Sequence, residues 1–377
     1  MKHSLDLEKL RILIVGAGIA GLALSLALRR RGCSADIIER NAVWSDAGTG
    51  MYLTGNALRA LRALRIDAHL KTRGAPIETQ RFCDHRGQLL SEIDVGSVWR
   101  EAGPCLAVHR ADLHAVLREA ADASRVRMGV TLSAISQTSE SLIVHLSDDT
   151  QEQYDFVVGA DGIGSAVRRL AFKDAGLRAL NQWSWRFVIP CPPQITTWSV
   201  LMNRASVCLM MPIGRGRAYC YVDLMGQEPP ANSTNCLQEV LSGFAGPATP
   251  VREALEGDVA IHAAQIEEVV LDDWSRGRVL LVGDAAHAMS PNMAQGAAMA
   301  MEDALVLADC LSCEWPSIEG TVCAYHARRV PRIHRLLAMT HRRDRIRQLH
   351  PVLRNGLLRF FGSRVYHSHY RHLLTEP

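Results

Sequence analysis

Along the first forty residues the apolar positions change period twice. Ile12 to Val15 is an unbroken apolar run, the pattern of a strand buried on both faces. It runs straight into Gly16-Ala17-Gly18-Ile19-Ala20-Gly21. Leu22, Leu24, Leu26 and Leu28, set among alanines, then predict a tightly packed helix closed by Arg29-Arg30-Arg31 and Gly32. Ala35 to Glu39 predicts a second strand. In such a unit each glycine has its own task. Gly16 permits the tight turn, Gly18 admits a pyrophosphate to the backbone, and Gly21 lets helix and strand lie close. The helix start adds unpaired N–H groups and partial positive charge. Glu39 stands about twenty residues on, where a carboxylate takes a ribose hydroxyl. The whole pattern predicts a dinucleotide site.

Downstream, the closely spaced Gly48, Gly50 and Gly55 read either as backbone lying against something flat or as an ordinary glycine-rich loop. Residues 76 to 102 alternate loosely around Arg86-Gly87 and predict a hairpin. His109-Arg110 opens an amphipathic helix (Leu113, Val116, Leu117). A cation at a helix start is poorly placed unless an anion lies nearby, so Arg110 is a candidate phosphate or ribityl contact. Two strands follow, Arg127 to Ile135 and Ser141 to Leu146. The segment Tyr154 to Gly162 is then a strand ending in an Asp161-Gly162 turn, followed by a helix carrying Arg168 and Arg169. Asp161 is either turn chemistry or a carboxylate at the ligand end of a parallel sheet.

From about residue 176 to 271 the texture becomes alternating strands, WSWRFVIP, SVCLMMPIG and RAYCYVDLM, which predict a second, sheet-rich domain. Trp183, Trp185, Phe187 and Ile189 share one face, and Arg217, Tyr219, Tyr221 and Asp223 another. With Met202, Met210 and Met211 they are candidates for a wide apolar pocket. The rival account is a sheet packed on its own helix, Asn235 to Phe244. Arg278 to His287 is a further strand ending in Gly283-Asp284, leading through Ser290-Pro291 to a long helix ending near Leu311. His287 is a candidate base, although a histidine in such a turn is more often structural. Arg328 to His372 carries twelve arginines and one acid, Asp344. The favoured reading is a helix whose stripe (Val330, Ile333, Leu336, Leu337) packs on the first domain with its arginines solvated. A surface for anionic lipid or nucleic acid is the alternative.

Composition narrows this only a little. A net charge of +3 gives no argument for a nucleic-acid partner, and no apolar run reaches membrane-spanning length. The opening MKHSLDLEKL has no apolar signal region, so a soluble, cytoplasmic protein is expected. The ten cysteines are scattered, mostly in apolar runs, and read as reduced and buried. Cys310 and Cys313 lack a second pair, and no metal is expected.

Three strand-ending motifs in this order, GAGIAG, VVGADGIGSAVR and LLVGDAAHAMSPNMAQGAAMAMEDA, resemble those of the class A FAD-dependent aromatic hydroxylases. Within that group TGMYLTGNALRAL, VHRADLHAVL and WRFVIP are most similar to the salicylate, urate and alkylquinolone hydroxylases. The resemblance implies an α/β fold. A Rossmann-type FAD-binding domain (1–75, 103–175 and 272–335) would be interrupted by a discontinuous, sheet-rich substrate domain (76–102 and 176–271), with a basic helical segment at 336–377.

It also implies roles. Gly16, Gly18, Ala20 and Gly21 would hold the FAD pyrophosphate, Glu39 and Arg40 the adenosine ribose, and Leu132 the adenine through its backbone. Gly50 and Tyr52 would lie by the flavin, and Arg110 would reach the ribityl–pyrophosphate region. Asp284 would bind that linkage, and Asp161 would brace the diphosphate end. Pro291, Ala294, Gln295, Gly296, Ala297 and Ala298 would form the loop facing the isoalloxazine. Trp185, Phe187, Met202, Met211, Tyr219 and Tyr221 would line the substrate pocket, with Tyr219, Tyr221 and His287 as candidates for proton removal. Val207 stands where urate-type enzymes carry an arginine, so urate is disfavoured; Arg186-Phe187 breaks the halogenase pattern WxWxIP. The implied reaction is hydroxylation of an electron-rich aromatic ring by NAD(P)H and O2 through a flavin C4a-hydroperoxide. NAD(P)H would bind transiently, Arg168 and Arg169 being candidate contacts. The substrate would be bicyclic or alkyl-tailed, and the protein a monomer or homodimer with at most weak membrane-surface contact. The alternatives are a flavin reductase of a hydrophobic substrate or a non-catalytic flavin-bearing protein.

Overall fold

The computed structural model describes residues 9–377 apart from 46–47, 123–124, 139, 173–175, 227–232 and 314–316. Its first sheet has six strands in the order Ser275–Arg276, Val279–Leu281, Phe156–Gly159, Ile12–Val15, Ala35–Glu39, Val126–Met128. All neighbours are parallel except the Ser275–Arg276 edge. Ile12, Leu13 and Ile14 are buried, as an unbroken apolar run in a covered parallel strand must be. The helix Ile19–Arg29 packs on this sheet and against the long helix Gly296–Ser312.

The second sheet has seven strands in the order His262–Val269, Leu177–Pro190, Arg217–Met225, Ser206–Pro212, Trp198–Met202, Thr79–Asp84, Leu89–Asp94. The hairpin read from residues 76 to 102 is present, turning at Gly87 (φ +84°), and joins this sheet by parallel pairing of Thr79–Asp84 with Trp198–Met202. The protein is therefore a two-domain α/β molecule whose substrate sheet is assembled from separate stretches of chain.

One face of the second sheet is a closed core. Trp185, Phe187, Ile189, Met210, Cys208 and Cys220 pack there with Leu237 and Leu241 of the covering helix Ser233–Ser242 and with Phe244 just beyond it. This overturns the expectation for Trp185, Phe187 and Met210. Alternation puts these residues under the helix, and their odd or even neighbours on the opposite face.

The C-terminal segment is two helices, Ile318–Gln348 and Pro351–Tyr370. Ile333 and Leu336 of the expected stripe are buried, and the first of the two helices packs on Gly296–Ser312. The second packs instead on the substrate-sheet strand Leu89–Asp94, close enough that a Cβ at Gly362 would lie 2.1 Å from Ser91 Oγ. Nor are the arginines uniformly solvated: Arg329, Arg332 and Arg354 are buried. Among the described residues all cysteines are free thiols, no His/Cys/Asp/Glu group is set to hold a metal, and no helix is long and apolar enough to cross a membrane.

Candidate active site

The turn after the first strand has the backbone its glycines require. Gly16 has φ +103°, and a Cβ there would come 2.6 Å from Ala160 O. At Gly21 a Cβ would come 1.9 Å from Gly16 O, so helix and turn touch through backbone alone. Gly18 differs, since no protein atom lies within 4 Å of a Cβ built there. That open side faces a helix start with no side-chain cap and no acid in its first turn. Unpaired N–H groups beside an open approach suit a phosphate.

Around this turn, Glu39 accepts from Ala17 N (2.9 Å) and Asn41 N (3.0 Å), and His114 Nε2 lies 2.8 Å from Ala17 O. His114 escaped the sequence reading, because only the fold brings the 110–121 helix over residue 17. Leu132 is buried at the start of its strand, and Val130 N donates to Glu39 O, so this segment borders Glu39; Arg40 beside it is exposed. Ala20 packs on the next turn: a Cβ at Gly283 would lie 3.1 Å from Ala20 Cβ.

Asp161 does something else. Its carboxylate accepts from Ala166 N (2.6 Å) and Val167 N (3.2 Å), and so caps the helix Ala166–Ala171. Turn chemistry accounts for its carboxylate. Arg168 is buried and donates to Ala285 O and Ile163 O, which removes it as a nicotinamide contact; Arg169 donates to Gly164 O.

Between the two sheets lies a cavity of about 530 Å³. Thr49, Gly50, Tyr52, Arg110, Asp284, Pro291, Ala294, Gln295, Gly296 and Ala297 line it from the first domain; Ala298 is buried just behind. Asp284 opens into the cavity, and its carboxylate accepts no hydrogen bond among the described residues. Enclosure pushes its pKa up, against the pull of His287, Arg110 and Arg186. Ala294 adopts a left-handed φ of +51°, and the helix beginning at Gly296 has neither side-chain cap nor first-turn acid, so its leading N–H groups are unclaimed by side chains.

This loop is braced from behind by a buried polar chain. Gln295 Nε2 donates to Thr54 Oγ1 (2.8 Å), and Asn56 Nδ2 donates to Gln295 Oε1 (3.0 Å) and Glu302 Oε1 (3.1 Å). Glu302 also holds Arg329 and Arg332, each at 2.8 Å. Asp303, beside it, accepts from Gly283 N (2.8 Å) and Arg329 Nε (2.7 Å), and lies 2.6 Å from His287 Nε2. Burial alone would raise the Asp303 pKa, but His287 and Arg329 outweigh it and hold the carboxyl at about 2. His287 is thus removed as a cavity base: it is buried, tied to Asp303 and packed on Trp274. Its place is in positioning the turn that presents Asp284.

The second sheet contributes the rest of the wall: Phe82, Trp198, Val200, Met202, Val207, Leu209, Met211, Tyr219 and Tyr221. Tyr52 packs on Trp198 with ring centroids 4.2 Å apart and planes tilted by 53°, and Gly50 lies directly against Tyr219, where a Cβ would overlap the tyrosine Cβ at 2.2 Å. Burial pushes the Tyr219 phenol up to about 12 and the Tyr221 phenol well above its ordinary value. Both therefore act at neutral pH as hydroxyl groups, not as bases. Asp223, expected on this face, and two polar groups missed from the sequence, Arg186 and Asp344, complete the cavity. Arg186, on the cavity side of the Trp185 strand, has a buried Nε with no partner among the described residues. Asp223 accepts from Gln182 Nε2 (2.8 Å), Tyr221 OH (3.1 Å) and Arg347 Nη1 (2.7 Å), so its charge is spent internally. Asp344 lines the cavity and accepts from Asn292 Nδ2 at 2.7 Å; burial raises its pKa.

An open approach at Gly18, two uncapped helix starts, the Asp284 carboxylate, an arginine Nε without an acceptor among the described residues, and a glycine-lined wall fit the diphosphate, ribose and ring carbonyls of FAD. The family model described as an FAD binding domain matches residues 9–340. The chain belongs to that family and, within it, to the class A FAD-dependent aromatic hydroxylases. It stands among relatives of the alkylquinolone and salicylate-type enzymes. It is 33% identical over 368 residues to the aurachin C monooxygenase/isomerase of Stigmatella aurantiaca, covering 94% of this chain and 95% of that one. It is 35% identical over 329 residues to the 2-heptyl-3-hydroxy-4(1H)-quinolone synthase of Pseudomonas aeruginosa, covering 85% of each. Klebsiella pneumoniae HpxO, solved with FAD and uric acid, shares the fold with a TM-score of 0.89 at 22% identity, over 98% of this chain and 97% of that one.

Proposed function

We propose that the protein hydroxylates an electron-rich, bicyclic or alkyl-substituted heteroaromatic ring, alkylquinolone-like rather than urate-like, with FAD, NAD(P)H and O2. The observation carrying this reading is the single cavity shared by the flavin-binding turns and a sheet face rich in methionine and aromatic residues. The bound flavin supplies the redox chemistry and oxygen activation. The chain supplies the rest. Gly18 and the uncapped helix starts bind anionic and carbonyl oxygens, with Gly16 shaping the turn. Phe82, Met202, Val207 and Met211 exclude water from the ring. Tyr219 offers its hydroxyl to a ring heteroatom, while the Tyr221 hydroxyl is held by Asp223, and Arg186 faces the oxygen that becomes anionic when the ring loses a proton.

That proton goes to Asp344, a cavity carboxylate held by Asn292 whose pKa burial raises. Val207 leaves no arginine at the position associated with urate, and Phe82, Met202, Val207, Leu209 and Met211 give this wall an apolar face. The enzyme works in the cytoplasm as a monomer or homodimer, without nucleic acid.

The test is a panel of aromatic compounds scored for stimulated NADH and NADPH consumption, with oxygen uptake and product mass measured. A product heavier by one oxygen atom supports hydroxylation; stoichiometric reduction without oxygen incorporation points to a reductase. Asp344→Asn is expected to lower kcat roughly 10²–10⁴-fold and to abolish the fall of kcat at acid pH. An unchanged pH profile would remove Asp344 from the mechanism.

A further inference from the structure

The helix Pro351–Tyr370 has two unlike faces. Inward, Leu358, Gly362, Tyr366 and His369 line the cavity. Outward, Val352, Leu353 and Phe360 are 73%, 65% and 79% exposed, and Leu349 just before the helix is 40% exposed. Leu353 and Phe360 are seven residues apart, so they share one outward stripe along the helix. Large apolar side chains gathered in this way on a surface mark an interaction site.

The charges around the stripe say what it meets. Arg359 and Arg364 on the same helix, and Arg342 and Arg345 on the one before it, are exposed and make no ion pair among the described residues. From 351 to 370 there is no Asp or Glu. A second copy of the chain seated on this stripe across a two-fold axis would set one cationic rim against another. A nucleic acid would meet the arginines but leave Leu353 and Phe360 without a partner. An anionic bilayer satisfies both, taking the apolar side chains at the headgroup–acyl boundary and the guanidinium groups at lipid phosphates. We infer that this helix face is a peripheral docking surface for anionic membranes. The inference rests on the surface alone and holds whatever the substrate proves to be. If that substrate is lipophilic, the helix that touches the bilayer is also a wall of the chamber receiving it.

The experiment uses FAD-loaded protein sedimented with vesicles of pure phosphatidylcholine or of phosphatidylcholine with phosphatidylglycerol, at low and high salt. Binding is expected only with phosphatidylglycerol, weakening as salt rises. The double substitution Leu353→Ser with Phe360→Ser is expected to weaken it at least 10-fold, with unchanged flavin absorbance. Arg359→Gln with Arg364→Gln is expected to flatten the salt dependence, and this pair decides the matter if the first variant fails to fold. Three results would overturn the inference: wild-type protein remaining in the supernatant with both vesicles, binding unaffected by either variant, or equal binding to neutral vesicles. A wild-type dimer in analytical ultracentrifugation that Leu353→Ser with Phe360→Ser converts to monomer would assign the stripe to a second copy instead.

Discussion

Glu302 and Asp303, adjacent on one helix, are both buried, and each is answered by arginine. Removing one partner of such a pair leaves the other charge buried and alone. Asp303→Asn is therefore expected to destabilise the protein by about 3–5 kcal/mol, read as a lower denaturation midpoint. The pH dependence follows from its depressed pKa. The stabilisation is complete above the unfolded value of about 3.9 and is lost as pH falls through about 2. The stability gap between wild type and variant should thus be flat at neutral pH and close in strong acid; a gap unchanged across that range would contradict the assignment. Trp185→Ala is expected to cost about 3–5 kcal/mol and leave KM for a good substrate unmoved, whereas Met202→Ala should raise KM. At this scale the sequence was legible wherever a residue's task is carried by its own neighbours, as at Gly16 and Gly21. It was not legible at Arg186, because alternation marks two faces of a strand without saying which is roofed by a helix. The apolar Leu237, Leu241 and Phe244 were the available signal, since a face covered by them cannot also line a cavity.

Among the elements, the two turn glycines make a matched pair. Gly16→Ala would press a methyl group against Ala160 O and force an L side chain into φ +103°. It should lower stability and flavin content together. Gly18→Ala meets no protein atom within 4 Å, so the apoprotein should keep its melting temperature while FAD affinity falls, measurable by flavin fluorescence titration. Equal loss of stability in both variants would show that the open side of Gly18 is not where the phosphate lies. The strand, turn and helix of this unit were readable because they are contiguous. The bracing of Gln295 by Asn56 and Glu302 was not, as its members lie about 240 residues apart.

The whole molecule is a cavity held between two sheets by chain segments that return to it repeatedly. The family motifs foretold the two-domain plan and the flavin turns. They did not foretell that the last long helices supply Arg343, Asp344, Arg347 and Tyr366 to the same wall. An arginine-rich stretch looks solvated in sequence, and only packing shows which guanidinium groups turn inward toward Asp223, Glu302 and Asp303.

The buried chain behind the Pro291–Gly296 loop continues outward. Arg332 and Arg59, flanking Glu302, donate to the backbone carbonyls of His372, Leu374 and Thr375. Trimming the residues past Tyr370 would strip acceptors from both arginines, and the disturbance would pass through Glu302 and Asn56 to Gln295. Such a shortened enzyme should fold and yet leave the purification column pale, its missing colour traceable to carbonyls far from any atom of the prosthetic group.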